Sequence, residues 1–164
     1  MPHIHSFAPV SKADARVLIL GSMPGKASLQ QQQYYAHPSN AFWKIMGELA
    51  GAHPALPYAR RLRLLEASGI ALWDVLASCE RESSLDAHIR NESVHDFAGF
   101  FARHPHITRV FFNGAKAEQS FRKFVLGKQQ LPPLTFRRLP STSPAHAGMC
   151  YADKLQAWRT VMQP

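Results

Sequence analysis

Three short stretches of this chain carry residue types able to bind or react. The first is Gly21-Ser22-Met23-Pro24-Gly25, at the exit of an apolar run. Its glycines permit close backbone approach and its proline stiffens the turn, so the N–H groups can face an anion or a polar ring edge. The second is QYYAHPSNAFW, residues 33–43, where two tyrosines, a histidine, an asparagine, a phenylalanine and a tryptophan crowd together. Aromatic faces there can sandwich a flat ring, and the Asn40 amide can read its edge or steady a water. The third is LPSTSPAHAG, residues 139–148, whose Ser141, Thr142 and Ser143 offer hydroxyls and N–H groups suited to phosphate. Each stretch also has a plainer reading: a tight strand exit, a helix cap at Asn40, a core ring at Phe42, a surface turn at 141–143. On these residues alone both readings stand. The glycine spacing is neither a P-loop nor G-x-G-x-x-G.

The elements that must position these stretches alternate. RVLIL (16–20) and VFF (110–112) are continuous apolar runs of the kind buried strands show. IALWDVL (70–76) follows Gly69 as a third strand, and LTFRRL (134–139), with two arginines, suits a sheet edge. Between them, NAFWKIMGELAG places Phe42, Ile45, Met46 and Leu49 on one helical face, with Asn40 as N-cap and Gly51 as stop. YARRLRLLEASG, AEQSFRKFVLG and YADKLQAWRTVM read as further helices. Such alternation predicts a parallel sheet with helices on both faces, in one domain spanning residues 1–164. Ligands of such sheets bind outside the carboxyl ends of the strands. The stretches after residues 20, 76, 112 and 139 are therefore where a site is expected.

Composition narrows the class. The chain has 164 residues, enough for one core without staples. No apolar run approaches the roughly 18 residues a membrane span needs, and the start of the chain lacks an export pattern. Cys79 and Cys150 stand apart, which reads as two reduced, buried thiols in a cytoplasmic protein and leaves too few ligands for an iron–sulfur cluster. His3-x-His5 and His104-Pro-His106 lack acidic or thiol partners and read as surface residues, so no metal is expected. Lys and Arg number 19 against 11 Asp and Glu, a net charge of +8, with a pI near 9.9. That surplus favours a polyanionic partner such as nucleic acid. Residues 121–138 contribute Arg122, Lys123, Lys128, Arg137 and Arg138 with no acidic residue, and Arg60, Arg61 and Arg63 form a second cluster.

The ordered set GSMPG, QYYAHPSNAFWKIMGELAG, GIALWDVLASCER and LPSTSPA resembles the uracil-DNA glycosylase superfamily, most of all its hypoxanthine-DNA (deoxyinosine) branch. The resemblance runs over about residues 7–158. It implies a three-layer α/β/α fold with a four-stranded parallel sheet and a base pocket at the strand ends. It implies hydrolysis of the N-glycosidic bond of a deaminated base, without cofactor, leaving an abasic site. The partner would be DNA containing such bases, engaged by a monomer. The target nucleotide must leave the duplex at a cost of about a few kcal/mol, offset by basic surface and phosphate contacts.

The same resemblance implies roles for residues. Related branches carry a catalytic Asn or Asp in the loop where this chain has Met23, which can neither polarise a water nor accept a proton. In the hypoxanthine branch the key amide matches Asn40, the expected catalytic residue. Phe42 matches the ring that stacks on the base, and Gly21, Ser22, Met23, Pro24 and Gly25 line the pocket. Asn113 is a candidate for reading the base edge, although capping the next helix explains it equally well. Asp74 is a possible helper, although a cap or an ion pair explains it better. Ser141, Thr142, Ser143 and His146 are the expected DNA contacts. No carboxylate stands in the two signature loops, so a dissociative route in which dipoles stabilise a departing base anion fits better than a two-carboxylate scheme. The alternatives are uracil excision from G·U pairs or single strands, a catalytically inactive nucleic-acid-binding module, and a nucleotide-binding regulatory domain. Neither Lys26 nor Lys44 is given a lyase role by the resemblance.

Overall fold

The apolar runs become parallel strands whose side chains alternate between two cores. The computed structural model describes residues 3–146 and 148–164. Its strands are β1 (His3–His5), β2 (Val17–Gly21), β3 (Ile70–Asp74), β4 (Leu76–Glu80), β5 (Arg90–Val94), β6 (Arg109–Asn113) and β7 (Thr135–Leu139). Its helices are α1 (Lys26–Gln31), α2 (Phe42–Ala50), α3 (Tyr58–Ala67), α4 (Phe97–Arg103), α5 (Ala115–Phe124) and α6 (Tyr151–Trp158). A four-stranded sheet has the order β3-β2-β6-β7, and every neighbouring pair in it is parallel. The architecture is the expected three-layer α/β/α arrangement.

Period-two alternation builds the layers. Leu18, Leu20, Ala71, Trp73, Val110 and Phe112 point to one face, where Phe97, Phe100 and Phe101 of α4 and Phe121 of α5 meet them. Val17, Ile19, Ile70, Leu72 and Phe111 point to the other, against Phe42, Ile45 and Met46 of α2, Leu65 of α3 and Trp158 of α6. β2 and β3 are buried along their whole length, which is why they read as unbroken apolar runs. β7 keeps Arg137 and Arg138 exposed and lies at the edge, as its sequence predicts.

The structure departs from the sequence reading in four places. The run 70–76 is not one strand: β3 ends at Asp74, and β4 starts at Leu76 in a second, three-stranded antiparallel sheet of order β1-β4-β5. Helices α1 and α4 were not anticipated; α4 is short and is capped by Asp96, whose side chain accepts from Gly99 N–H at 3.0 Å. Cys79 is buried, but Cys150 is exposed, standing as the N-cap of α6. His104 is no surface residue: it stacks on Phe100 at 4.1 Å, and its ring nitrogens face Phe100 O and Ser11 Oγ. A polar side chain satisfied on both sides is stable in a core position.

Candidate active site

The sheet register decides what meets at the strand ends. Gly21 of β2 lies beside Asp74 of β3, and Asn113 of β6 lies beside Leu139 of β7. The loops leaving these residues, together with residues 33–40, enclose a cavity of about 650 Å³. It is lined by Gly21, Ser22, Met23, Pro24, Gly25, Asn40, Asn113, Ser141, Thr142, Ser143 and His146. All but one of the residues that the sequence nominates thus share a single cleft, in the position the open-sheet rule requires.

The exception is Phe42. It is fully buried and belongs to the core beneath the cavity. The ring facing the cavity is Tyr35, which lies stacked over Phe42 with centroids 4.2 Å apart. The place foreseen for Phe42, at the cavity wall, is therefore occupied by its neighbour in space. Tyr35 adopts a left-handed backbone, φ 54°, a strained conformation for a bulky residue. Neighbouring bonds hold it there: Ala36 N–H donates to Ser28 Oγ at 3.1 Å, and Trp43 Nε1 donates to Tyr34 O at 2.8 Å.

Asn40 precedes α2. Its Oδ1 accepts from Phe42 N–H at 2.9 Å, so the side chain holds the first helical residue from the position before the N-cap, Ala41, which has no side-chain cap bond. That bond uses only the oxygen. Among the described residues nothing accepts from the Asn40 amide nitrogen, and the residue lines the cavity. One side chain therefore serves both readings: the carbonyl holds the helix and the NH₂ is left as a donor. Met23 also lines the cavity and is buried, with no group able to move a proton.

Asn113 lines the cavity but does not cap α5. Its Oδ1 accepts from Thr142 N–H at 2.9 Å, and its Nδ2 donates to Thr142 Oγ1 at 3.0 Å. The amide ties the end of β6 to the last loop, and Gly114 is the residue that precedes α5. Thr142 is anchored on its other side as well, where its carbonyl accepts from Ala41 N–H at 3.0 Å. The loop carrying the hydroxyls and the segment carrying Asn40 are thus joined through one residue.

The floor holds a feature weighed only weakly from sequence. Asp74 is 4% exposed, and its Oδ2 has no hydrogen-bond partner among the described residues. The buried Tyr35 hydroxyl makes no bond of good geometry, although the Asn113 amide stands close enough to act on it. Both crowd the bare Cα of Gly21, where an added Cβ would lie 2.6 Å from Asp74 Oδ1 and 2.7 Å from Tyr35 Oη. Only glycine fits there. Burial, and then the negative charge of Asp86, pushes the Asp74 carboxyl up to about 7, with Arg81 pulling the other way.

Residues 81–86 were missed by sequence reasoning, and they clamp the first loop from outside. The buried Arg81 guanidinium donates to Pro24 O. Ser84 Oγ accepts from Lys26 N–H at 2.9 Å, and Ser22 Oγ donates to Asp86 Oδ1 at 2.6 Å. Arg81 closes the GIALWDVLASCER stretch, where nothing assigns it a role, and residues 82–86 carry no motif.

The basic clusters divide. Arg122, Lys123, Lys128, Arg137 and Arg138 are exposed, with Glu118 beside Arg122 and Arg138. Arg61 instead packs over Trp43 and Tyr58 at 4.7 and 5.3 Å, a structural use of its charge. Among the described residues no group of three or more His, Cys, Asp or Glu could hold a metal ion. No described helix is long and apolar enough to cross a membrane.

Comparison with known proteins agrees with this geometry. The family model described as "Uracil DNA glycosylase superfamily" matches residues 8–162. Two curated proteins named hypoxanthine DNA glycosylase, from Methanosarcina barkeri and Methanosarcina acetivorans, are each 38% identical over 112 residues, 68% of this chain and 71% of theirs. A solution NMR structure from Methanosarcina acetivorans, provisionally assigned as a uracil DNA glycosylase, superposes with a TM-score of 0.80 at 31% identity, covering 99% of this chain and 98% of that one.

Proposed function

The chain belongs to the uracil DNA glycosylase superfamily, and from that premise we propose that it is a monofunctional hydrolase excising hypoxanthine from deoxyinosine in DNA. The observation that carries this reading is the Asn40 amide nitrogen, left without an acceptor at the edge of a cavity whose first loop offers only Met23. The names of the two curated relatives favour hypoxanthine over uracil as the base.

The chemistry follows from what the cavity contains. An extruded base enters between the first and last loops, with the Tyr35 ring rather than Phe42 against it. The glycosidic bond breaks with the electron pair going to the base, and the sugar becomes oxocarbenium-like. The Asn40 NH₂ and the N–H groups of the Gly21–Gly25 turn stabilise the departing anion, a task that fixed dipoles perform well where water is excluded. A water then adds to the sugar carbon, and the proton it releases neutralises the departed base anion, leaving free hypoxanthine and the abasic site. Hypoxanthine is a better leaving group than adenine, so a site without a strong base in its signature loops suffices.

The test uses duplexes bearing a single hypoxanthine or a single uracil, incubated with the protein and then treated with alkali. Breaks at hypoxanthine are expected. Breaks at uracil alone would replace the base assignment, and none at either, with salt-sensitive binding retained, would leave a binding module.

A further inference from the structure

Behind the last loop lies a second cavity of about 250 Å³. Thr142, Ser143 and Pro144 line both cavities, so this loop is a partition between them. The second cavity is bounded by two lysines, Lys44 from α2 and Lys154 from α6, with Ser39 and Tyr151 beside them. Lys154 is only 6% exposed, and its Nζ donates to His146 O at 2.9 Å. Lys44 holds its Nζ 4.8 Å above the centre of the Tyr151 ring. Among the described residues neither ammonium has a carboxylate within ion-pair distance.

That arrangement is electrostatically incomplete. A buried ammonium with no counter-charge costs several kcal/mol unless an anion or a set of acceptors replaces its water. One carbonyl satisfies one of the three Lys154 donors. Burial accordingly lowers the Lys154 pKa from its ordinary value. The groups lining it are mostly donors too, a second ammonium and the hydroxyls of Ser39 and Ser143, with Glu48 near Tyr151 the one carboxylate among the described residues that acts there. A site made of donors and positive charge selects a small anion with several acceptor oxygens.

We propose that this second cavity takes one backbone phosphate of the bound strand, adjacent to the nucleotide held in the main cavity. The partition then works from both faces, with the base on one side and the phosphate on the other. The Lys154 bond to His146 O makes the phosphate contact part of what sets the loop. The glycosylase reading enters only in naming the polyanion as DNA; the anion preference rests on the lysines.

Methylphosphonate substitution, which removes the charge of one phosphate, tests this position by position around the lesion. Binding is measured for the native protein, for Lys44→Ala and for Lys154→Met. In the native protein one position near the lesion should weaken binding about tenfold. Both variants should bind unmodified DNA correspondingly more weakly, become insensitive at that one position, and stay sensitive at the others. Their salt dependence should be shallower by about one phosphate equivalent. Lys44 is exposed, so Lys44→Ala serves even if Lys154→Met fails to fold. If every position affects the variants as it affects the native protein, the proposal falls. A parallel arm adds inorganic phosphate at constant ionic strength and follows Tm. Stabilisation lost in Lys44→Ala, with no position losing its sensitivity, would make the cavity a free-phosphate site and overturn the strand assignment. All these readouts are binding or stability, so they hold whether or not the alkali assay detects excision.

Discussion

Asn113 and Thr142 form a closed pair in which amide oxygen and amide nitrogen each engage one atom of the threonine, at 2.9 and 3.0 Å. Both residues are buried. Asn113→Ala leaves the Thr142 N–H and hydroxyl without partners, at about 1–3 kcal/mol for each unsatisfied group. A Tm reduced by several degrees is expected, together with a KM for DNA raised more than kcat is lowered, because the wall is loosened while the Asn40 amide is retained. Loss confined to kcat would show that Asn113 acts on the reacting base.

Asn40 separates into two functions. Asn40→Ala should lower excision about a hundredfold or more, the usual cost of removing one donor to a developing anion. It should cost about 0.5–1.5 kcal/mol of stability through the lost bond to Phe42 N–H. Asn40→Asp keeps the acceptor for Phe42 N–H and discards the donor, so stability should return while excision stays low. High activity in Asn40→Asp would mean that the NH₂ is not the working group.

Asp74 gives the pH dependence. Its folded pKa of about 7 lies above the ordinary carboxylate value, so between the two the folded state holds a proton that the unfolded chain has released. Stability therefore falls as pH rises across that window, and the full penalty remains above it. Asp74→Asn removes the slope. Denaturant melts should give the variant and the native protein similar stability near about pH 4. By about pH 8 the variant should lead, at about 1.4 kcal/mol per unit of pKa displacement. A difference that does not change with pH would mean that the carboxyl titrates normally.

The Tyr35 hydroxyl is buried and makes no bond of good geometry. Tyr35→Phe removes an unsatisfied polar group and keeps the ring stacked on Phe42, so thermal stability should be unchanged or higher by up to about 1 kcal/mol. Excision should persist. A clear loss of stability would show that the hydroxyl is bonded after all, to the Asn113 amide or to an ordered water.

The central sheet was legible because strands buried on both faces must be apolar throughout, as VLIL and VFF are. The second sheet was not. His3–His5 and Arg90–Val94 are short and largely polar, and what makes them strands is pairing with β4 across long stretches of chain. In the cavity, residue type left Asn40 and the Gly21–Gly25 loop with two readings each; the family resemblance pointed to them, and both line the cleft. The expectation for Phe42 failed because its place on the inward helical face buries it completely, while Tyr35, the ring at the cavity, carried no sequence signal of its own. Arg81 stood at the end of the GIALWDVLASCER stretch, but its role was not legible: it is a bond to the Pro24 carbonyl, and no pattern of side chains encodes a main-chain partner 57 positions away.

A single residue, Val75, separates the two sheets. Its N–H is held by Gly21 O at 2.8 Å and its carbonyl by His95 N–H at 3.3 Å, while Leu76 N–H reaches Ser22 O at 3.2 Å. The joint under Asp74 is therefore riveted to both sheets, and the bottom of the cleft cannot reshape itself around whatever enters. Adaptation to the guest falls to the rim at residues 143–146, so tolerance for differently shaped bases should evolve there while the bedrock stays the same.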